Sequence, residues 1–189
     1  MANDTIVALA TTPGESAIAV VRLSGPAALS IAARRFHGRR SPERSPSHRI
    51  LFGTFLSEDG SPVDTVLLSV FRAPRSYTGE DVVEISSHGG SAIPGAIVQT
   101  LIASGARPAR PGEFTERAYR NGKLDLAQAE SVAALVKARS ERAARAAHLG
   151  MYAAAACRQR GILLGGTEGG LLRAAADTWL IEQTVSDPA

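Results

Sequence analysis

Short apolar runs rich in β-branched residues alternate with polar turns along the first two thirds of the chain. The runs with the length and composition of strands are TIVALA at 5–10, AIAVVRL at 17–23, ILFGTFL at 50–56, VDTVLLSVF at 63–71 and DVVEIS at 81–86. Asp59-Gly60 predicts a hairpin between the third and fourth runs. Longer segments with helix-forming composition or start signals lie at 27–36, 91–104 and 112–120. This order predicts an α+β domain over residues 1–124.

The pattern becomes helical after residue 124. Asp125, with Gln128 three residues later, resembles a capping box, and apolar side chains then recur at helical spacing. The positions expected to form a buried face are Leu126, Ala129, Val132, Ala133 and Val136. Alanine-rich sequence extends the helix to about residue 159, and a glycine cluster at 161–170 follows it. Residues 125–189 are therefore predicted to form a partial helical domain with a divergent glycine-rich tail.

Composition limits the class of protein. The chain is 44% hydrophobic and 21% charged, which is typical of a globular protein without membrane spans. A single cysteine, Cys157, excludes an internal disulfide and a cysteine-based metal site. The N-terminal segment lacks the pattern of a secretory signal, so we expect a cytoplasmic location. The net charge of +3 permits an anionic ligand without requiring one.

Two charged residues stand inside apolar strands, where an unpartnered charge is unfavourable. Glu84 shares one face of its predicted strand with Val82 and Ser86, while Val83 and Ile85 point to the other. The carboxylate could lie on a wet face, pair with an arginine, or accept paired N–H groups from an amidine-like heterocycle such as a pterin. Arg22 is a positive charge within an apolar strand, and it likewise needs a partner.

Other polar residues near these strands allow a structural and a functional interpretation. Glu80-Asp81 could form a general acid/base pair or hydrogen-bond its own turn. His88 before Gly89-Gly90 is better explained as a hydrogen-bonding residue than as a metal ligand. Lys123 follows the turn-forming Asn121-Gly122, which would present it at a pocket rim or simply to solvent.

An arginine-rich stretch, RRFHGRRSPERSPSHR at 34–49, connects the first predicted helix to the next strand. Its six arginines are typical of a nucleic-acid-binding arm. Two Ser-Pro dipeptides and a lone aromatic residue favour a solvated connecting loop instead. Both interpretations stay open at this point.

Catalytic and nucleotide-binding motifs are absent from the sequence. It contains no GxxxxGK[ST], GxGxxG, HExxH or CxxC pattern, so no phosphate-binding loop for GTP and no metal site are predicted.

Three segments resemble, in order, the N-terminal part of the tRNA modification GTPase family called MnmE or TrmE: residues 4–25, 76–90 and 110–131. The resemblance implies a mixed sheet with flanking helices, like the folate-binding domain of the glycine-cleavage aminomethyltransferase. It implies binding of 5-formyltetrahydrofolate or a related one-carbon folate, with contacts at Arg22, Glu84 and Lys123. It also implies homodimerisation, a flavoprotein partner (MnmG or GidA), and action on the wobble uridine of tRNA, U34.

The chain also departs from that family. It has neither the inserted GTPase domain nor the terminal Cys-x-Gly-Lys motif, as expected for a fragment or a naturally reduced relative, and catalysis by the chain alone is not expected. Ser16 replaces a glycine common in the family's Pro-Gly loop. These departures support an alternative, a non-catalytic interaction and dimerisation protein that keeps the fold without binding the ligand.

Overall fold

A computed structural model describes residues 4–137 together with positions 166, 167, 170, 171 and 174. The chain divides into two compact units, Met1–Phe114 and Thr115–Ala189. The sequence pattern placed its domain boundary after residue 124, and most of the predicted helical domain lies outside the described residues. The predicted domain limits therefore stay a prediction.

The described part contains a mixed seven-stranded sheet and four α-helices, which confirms the predicted α+β class. The strands are β1 (Ile6–Leu9), β2 (Ile18–Ser24), β3 (Phe36–Gly38), β4 (Arg49–Leu56), β5 (Pro62–Phe71), β6 (Val82–His88) and β7 (Arg107–Pro108). The helices are α1 (Ala28–Arg35), α2 (Ala92–Ala103), α3 (Glu113–Arg120) and α4 (Leu126–Lys137), with a 3-10 helix at Pro42–Arg44.

The sheet order is β3-β4-β5-β6-β2-β1-β7, and every neighbouring pair is antiparallel except β1 with β7. This order places β2 directly beside β6, although these strands lie far apart in the sequence. Alternation along each strand directs one set of side chains to a core that includes α1 and α2. The main core residues are Val7, Val21, Leu23, Ile31, Val66, Leu68, Val70, Val83, Ile85, Ile97 and Leu101.

The other side of the sheet is called here the open face. It carries Ile18, Arg22, Ile50, Phe52, Leu67 and Glu84, all of them partly or largely exposed. No helix among the described residues is long and apolar enough to cross a membrane.

Two sequence expectations need correction. The arginine-rich stretch is not a plain connecting loop, because it contains β3 and the 3-10 helix.

The buried face of α4 was also assigned wrongly: Ala127 and Ser131 are buried, whereas Val136 is 82% exposed. Apolar residues occur all around this alanine-rich helix, so their spacing does not select a single face.

The start of α4 agrees with the sequence pattern. The backbone N–H of Asp125 donates to Oε1 of Gln128 at 2.9 Å. In return, the Gln128 N–H donates to Oδ1 of Asp125 at 2.8 Å. These reciprocal bonds satisfy N–H groups that the first turn of a helix leaves unpaired, and they confirm the predicted capping box.

Candidate functional site

Arg22 and Glu84 are direct neighbours on the open face. They occupy paired positions of β2 and β6. Nε of Arg22 donates to Oε1 of Glu84 at 2.8 Å, and the NH2 group lies 2.8 Å from the same oxygen. Their side chains are only 26% and 27% exposed. Each of the two unexplained charges in the apolar strands therefore has the other as its partner.

Two aromatic rings fix the position of the Arg22 guanidinium. It lies 5.3 Å from the ring centroid of Tyr77 and 5.5 Å from that of Phe114. Contacts of this kind contribute about 0.5–1 kcal/mol each at exposed sites. Sequence patterns alone did not identify either ring as part of the site, because both contacts join segments that are distant along the chain.

The Glu84 carboxylate keeps free accepting capacity. Both contacts from Arg22 converge on Oε1, and no described group hydrogen-bonds Oε2. An ionised carboxylate offers about four lone-pair sites on its two oxygens. The pair can therefore accept further N–H donors from a planar ligand without losing the bond to Arg22.

The polar turn before β6 has a structural role. The hydroxyl of Ser24, which is fully buried, donates to Oε2 of Glu80 at 2.7 Å and lies 2.7 Å from the Thr78 hydroxyl. Oδ1 of Asp81 accepts the backbone N–H of Ala73 at 2.9 Å. Glu80 therefore holds the turn against β2, and Asp81 joins it to the chain after β5, which favours the structural interpretation over a general acid/base pair.

His88 is a hydrogen-bonding residue at the end of β6. Its Nδ1 lies 2.8 Å from Oδ1 of Asp64, and its backbone N–H donates to Oδ2 at 2.8 Å. Burial would raise the pKa of Asp64, but the bonds from His88 and from the Thr65 N–H outweigh it and lower that pKa. Because the ionised carboxylate can only accept, Nδ1 is the donor. Asp64 had no distinguishing local sequence signal.

Gly89 allows the chain after β6 to approach the loop before β2. A Cβ atom there would lie 1.8 Å from the carbonyl oxygen of Ser16. The Gly89 N–H donates to the Ala17 carbonyl at 3.1 Å. The close backbone approach at Gly89 is thus made to a neighbouring segment of the protein.

Lys123 follows the end of α3, as its sequence position predicts. Gly122 has a φ of 68°, and the Lys123 N–H donates to the Ala118 carbonyl at 2.8 Å, which ends the helix. The lysine is exposed and belongs to the second compact unit, whereas Arg22 and Glu84 belong to the first. Convergence of the three side chains on one ligand stays a prediction.

A cluster of three or more His, Cys, Asp or Glu side chains able to hold a metal does not occur among the described residues.

Comparison with known proteins gives a consistent result. The family described as "GTP-binding protein TrmE N-terminus" matches residues 5–123. The tRNA modification GTPase MnmE of Thermus thermophilus is 53% identical over 146 residues, which are 77% of this chain and 34% of that protein. The MnmE proteins of Salinibacter ruber and Listeria innocua are 52% and 49% identical over 144 and 143 residues, in each case 76% of this chain and 31% of the relative. The chain thus spans about a third of the length of the curated relatives it matches.

Proposed function

The chain belongs to the family of the GTP-binding protein TrmE N-terminus, and on that premise we propose that it is a folate-binding, dimer-forming module of tRNA wobble-uridine modification. Its ligand is 5-formyltetrahydrofolate or a related one-carbon folate. Its macromolecular partners are a second copy, the flavoprotein MnmG/GidA and tRNA. GTP hydrolysis is not assigned to this chain, since its sequence has no phosphate-binding loop motif.

The observation that carries this proposal is the Arg22–Glu84 pair. Both charges are about three-quarters buried on the open face, and the pair is bordered by the rings of Tyr77 and Phe114. Surface ion pairs contribute little to stability, and both charged groups of a partly buried pair lose hydration. An aromatic-lined pair with unused carboxylate capacity is better explained by a ligand than by stability alone.

The chemistry of a folate is complementary to this arrangement. The pterin ring has neighbouring N–H donors, and a carboxylate that accepts two of them fixes the orientation of the ring. Glu84 supplies this carboxylate in the proposal, while Arg22 binds a carbonyl or anionic group and the aromatic rings cover the ligand. Lys123 is assigned to the anionic end of the ligand.

Calorimetric titration of the whole chain with 5-formyltetrahydrofolate tests the proposal. We expect saturable heat at one site for each chain and a rise in melting temperature, because a ligand that binds the folded state stabilises it. Tetrahydrofolate and folic acid serve as comparison ligands. Absence of both heat and thermal stabilisation with all three compounds would refute folate binding.

A second candidate function is supported by a different observation on the open face. Phe52 and Leu67 are paired across β4 and β5, and both are exposed, Phe52 by 70%. Ile50 and Ile18 add further exposed apolar surface to the same face. Apolar surface of this kind favours a protein interface. The chain would then serve as an interaction and dimerisation protein that does not bind a ligand.

Replacing Phe52 by glutamate is expected to shift a dimer of this chain to monomer. The change puts a charge into the apolar surface, and its desolvation in an interface is unfavourable. Multi-angle light scattering at micromolar concentration measures the change. Val136→Glu on α4 is the matched control, since Val136 is also an exposed apolar residue. A wild-type monomer, or equal behaviour of the two variants, would contradict dimerisation through this surface.

A further inference from the structure

The arginine-rich stretch 34–49 is anchored to the rest of the protein. β3 pairs with β4, and Pro42 at the start of the 3-10 helix is buried. The Arg72 side chain donates from Nε to the carbonyl of Ser45 at 3.0 Å, and its NH2 group donates to the carbonyl of Glu43. The backbone of the stretch is therefore held in place, unlike that of a solvated linker.

The arginines of this stretch differ in what they contact. Arg35 points inward, where its Nε donates to the Ser104 hydroxyl at 2.8 Å and NH1 donates to the Ser57 carbonyl at 3.1 Å. The remaining five are exposed, and none of them forms a salt bridge with a described residue. We call these five the arginine edge: Arg34, Arg39, Arg40, Arg44 and Arg49.

Several arginines elsewhere in the described part provide a contrast, although Arg75 does not. Salt bridges join Arg22 to Glu84, Arg107 to Asp4 and Glu113, and Arg120 to Glu116. The arginine edge has only Glu43 as an acidic residue within its own stretch. Clustered like charges repel one another and destabilise the folded state unless an anionic partner neutralises them. Their fixed backbone and their lack of salt bridges to described residues indicate a surface for a polyanion.

The neighbouring side chains decide which polyanion is favoured. The exposed residues between the arginines are His37, Gly38, Glu43, Pro46 and His48, and the large aromatic residue Phe36 is buried. A membrane-surface segment needs an exposed apolar face, which this stretch lacks. Base recognition in single strands relies on exposed aromatic rings. Arginines without an exposed apolar face or exposed large aromatic rings beside them are suited to phosphate groups. An arginine binds a phosphate through two parallel N–H donors.

We propose that the arginine edge binds the phosphate backbone of folded RNA without reading its sequence. The choice of tRNA as the RNA rests on the proposed function, but the arginine edge is a separate surface from the Arg22–Glu84 pair. It would bring tRNA to the module whether or not folate is bound.

Fluorescence anisotropy with labelled tRNA and the full chain tests this inference. For the triple variant Arg39→Gln, Arg40→Gln, Arg44→Gln, we expect roughly tenfold weaker binding or more at low salt. The slope of log affinity against log salt should fall by about 2–3, since each lost phosphate contact removes about one. Similar losses are expected with an unrelated tRNA, because the backbone carries no sequence information.

The control is Arg75→Gln, Arg110→Gln, Arg120→Gln, which removes the same number of positive charges from exposed positions elsewhere, two of them paired with Glu113 and Glu116. Near wild-type binding by this control, with loss in the first triple variant, supports the arginine edge. Equal losses in both, no loss in the first, or binding of phosphatidylserine vesicles without tRNA binding would overturn it. Folate titration of the same samples separates the two proposals, since tRNA binding that persists without folate binding supports the arginine edge alone.

Discussion

Glu84→Ala is expected to abolish measurable binding of 5-formyltetrahydrofolate while leaving the chain folded. Truncating one partner of a desolvated, charged hydrogen-bond network weakens binding by about 2–5 kcal/mol. This corresponds to a loss of roughly thirtyfold or more in affinity. The loss of folding stability should be smaller, about 1–2 kcal/mol, because the side chains of Arg22 and Glu84 remain partly hydrated. Calorimetric titration and thermal unfolding measure the two effects separately.

Matched variants separate a ligand contact from a general charge effect. Glu43→Ala removes the same side chain from an exposed position and should leave folate affinity unchanged. Glu84→Gln keeps the shape but loses the negative charge and should bind weakly. Arg22→Ala should resemble Glu84→Ala, and the double variant should lose less than the sum of the two, because the residues interact directly. Retained affinity in Glu84→Ala would remove Glu84 from the proposed site.

Gly25→Ala is expected to cause a large loss of stability in the first unit, because it combines backbone strain with a steric clash. Gly25 follows β2 with a φ of 135°, and an added Cβ would lie 2.6 Å from the Asp4 carbonyl oxygen and 2.7 Å from the Thr5 Cα. Backbone strain destabilises the folded state by about 1–3 kcal/mol, and overpacking destabilises it by a similar amount. The melting temperature should fall by roughly 5–15 °C in differential scanning calorimetry.

Gly60→Ala isolates the steric part of this effect. Gly60 also has a positive φ, of 84°, but an added Cβ there would meet no atom within 4 Å. Its expected loss is about 1 kcal/mol, from backbone strain alone. Equal melting temperatures for the two variants would show that the contact with Asp4 and Thr5 relaxes without a large loss of stability.

The sequence identified the charged residues that required explanation but not their partners. Arg22 and Glu84 were conspicuous because each lies in an apolar strand, and pairing with an arginine was one of three alternatives for Glu84. The choice depends on strand order, since β2 and β6 are separated in sequence by α1 and three other strands. Local patterns contain no information on which distant strand will be the neighbour.

The lack of long-range information in local patterns also explains why some residues near the site were not predicted from the sequence. Tyr77, Phe114 and Asp64 contribute through long-range contacts to Arg22 or His88. The position of β3 was missed because a three-residue strand has no recognisable period and forms only by pairing with β4. The face of α4 was assigned wrongly because alanine is compatible with both buried and exposed positions.

Sequence alone determined the α+β class, the main strands and the capped start of α4. These features depend on side-chain period, turn chemistry and capping, which act over a few residues. Only the tertiary structure placed Arg22 against Glu84 and assigned Glu80 and Asp81 to the turn. It alone also showed which arginines of the 34–49 stretch point outward. Each of these results depends on which segments the sheet brings together, and that is decided by burial of the whole core rather than by local sequence.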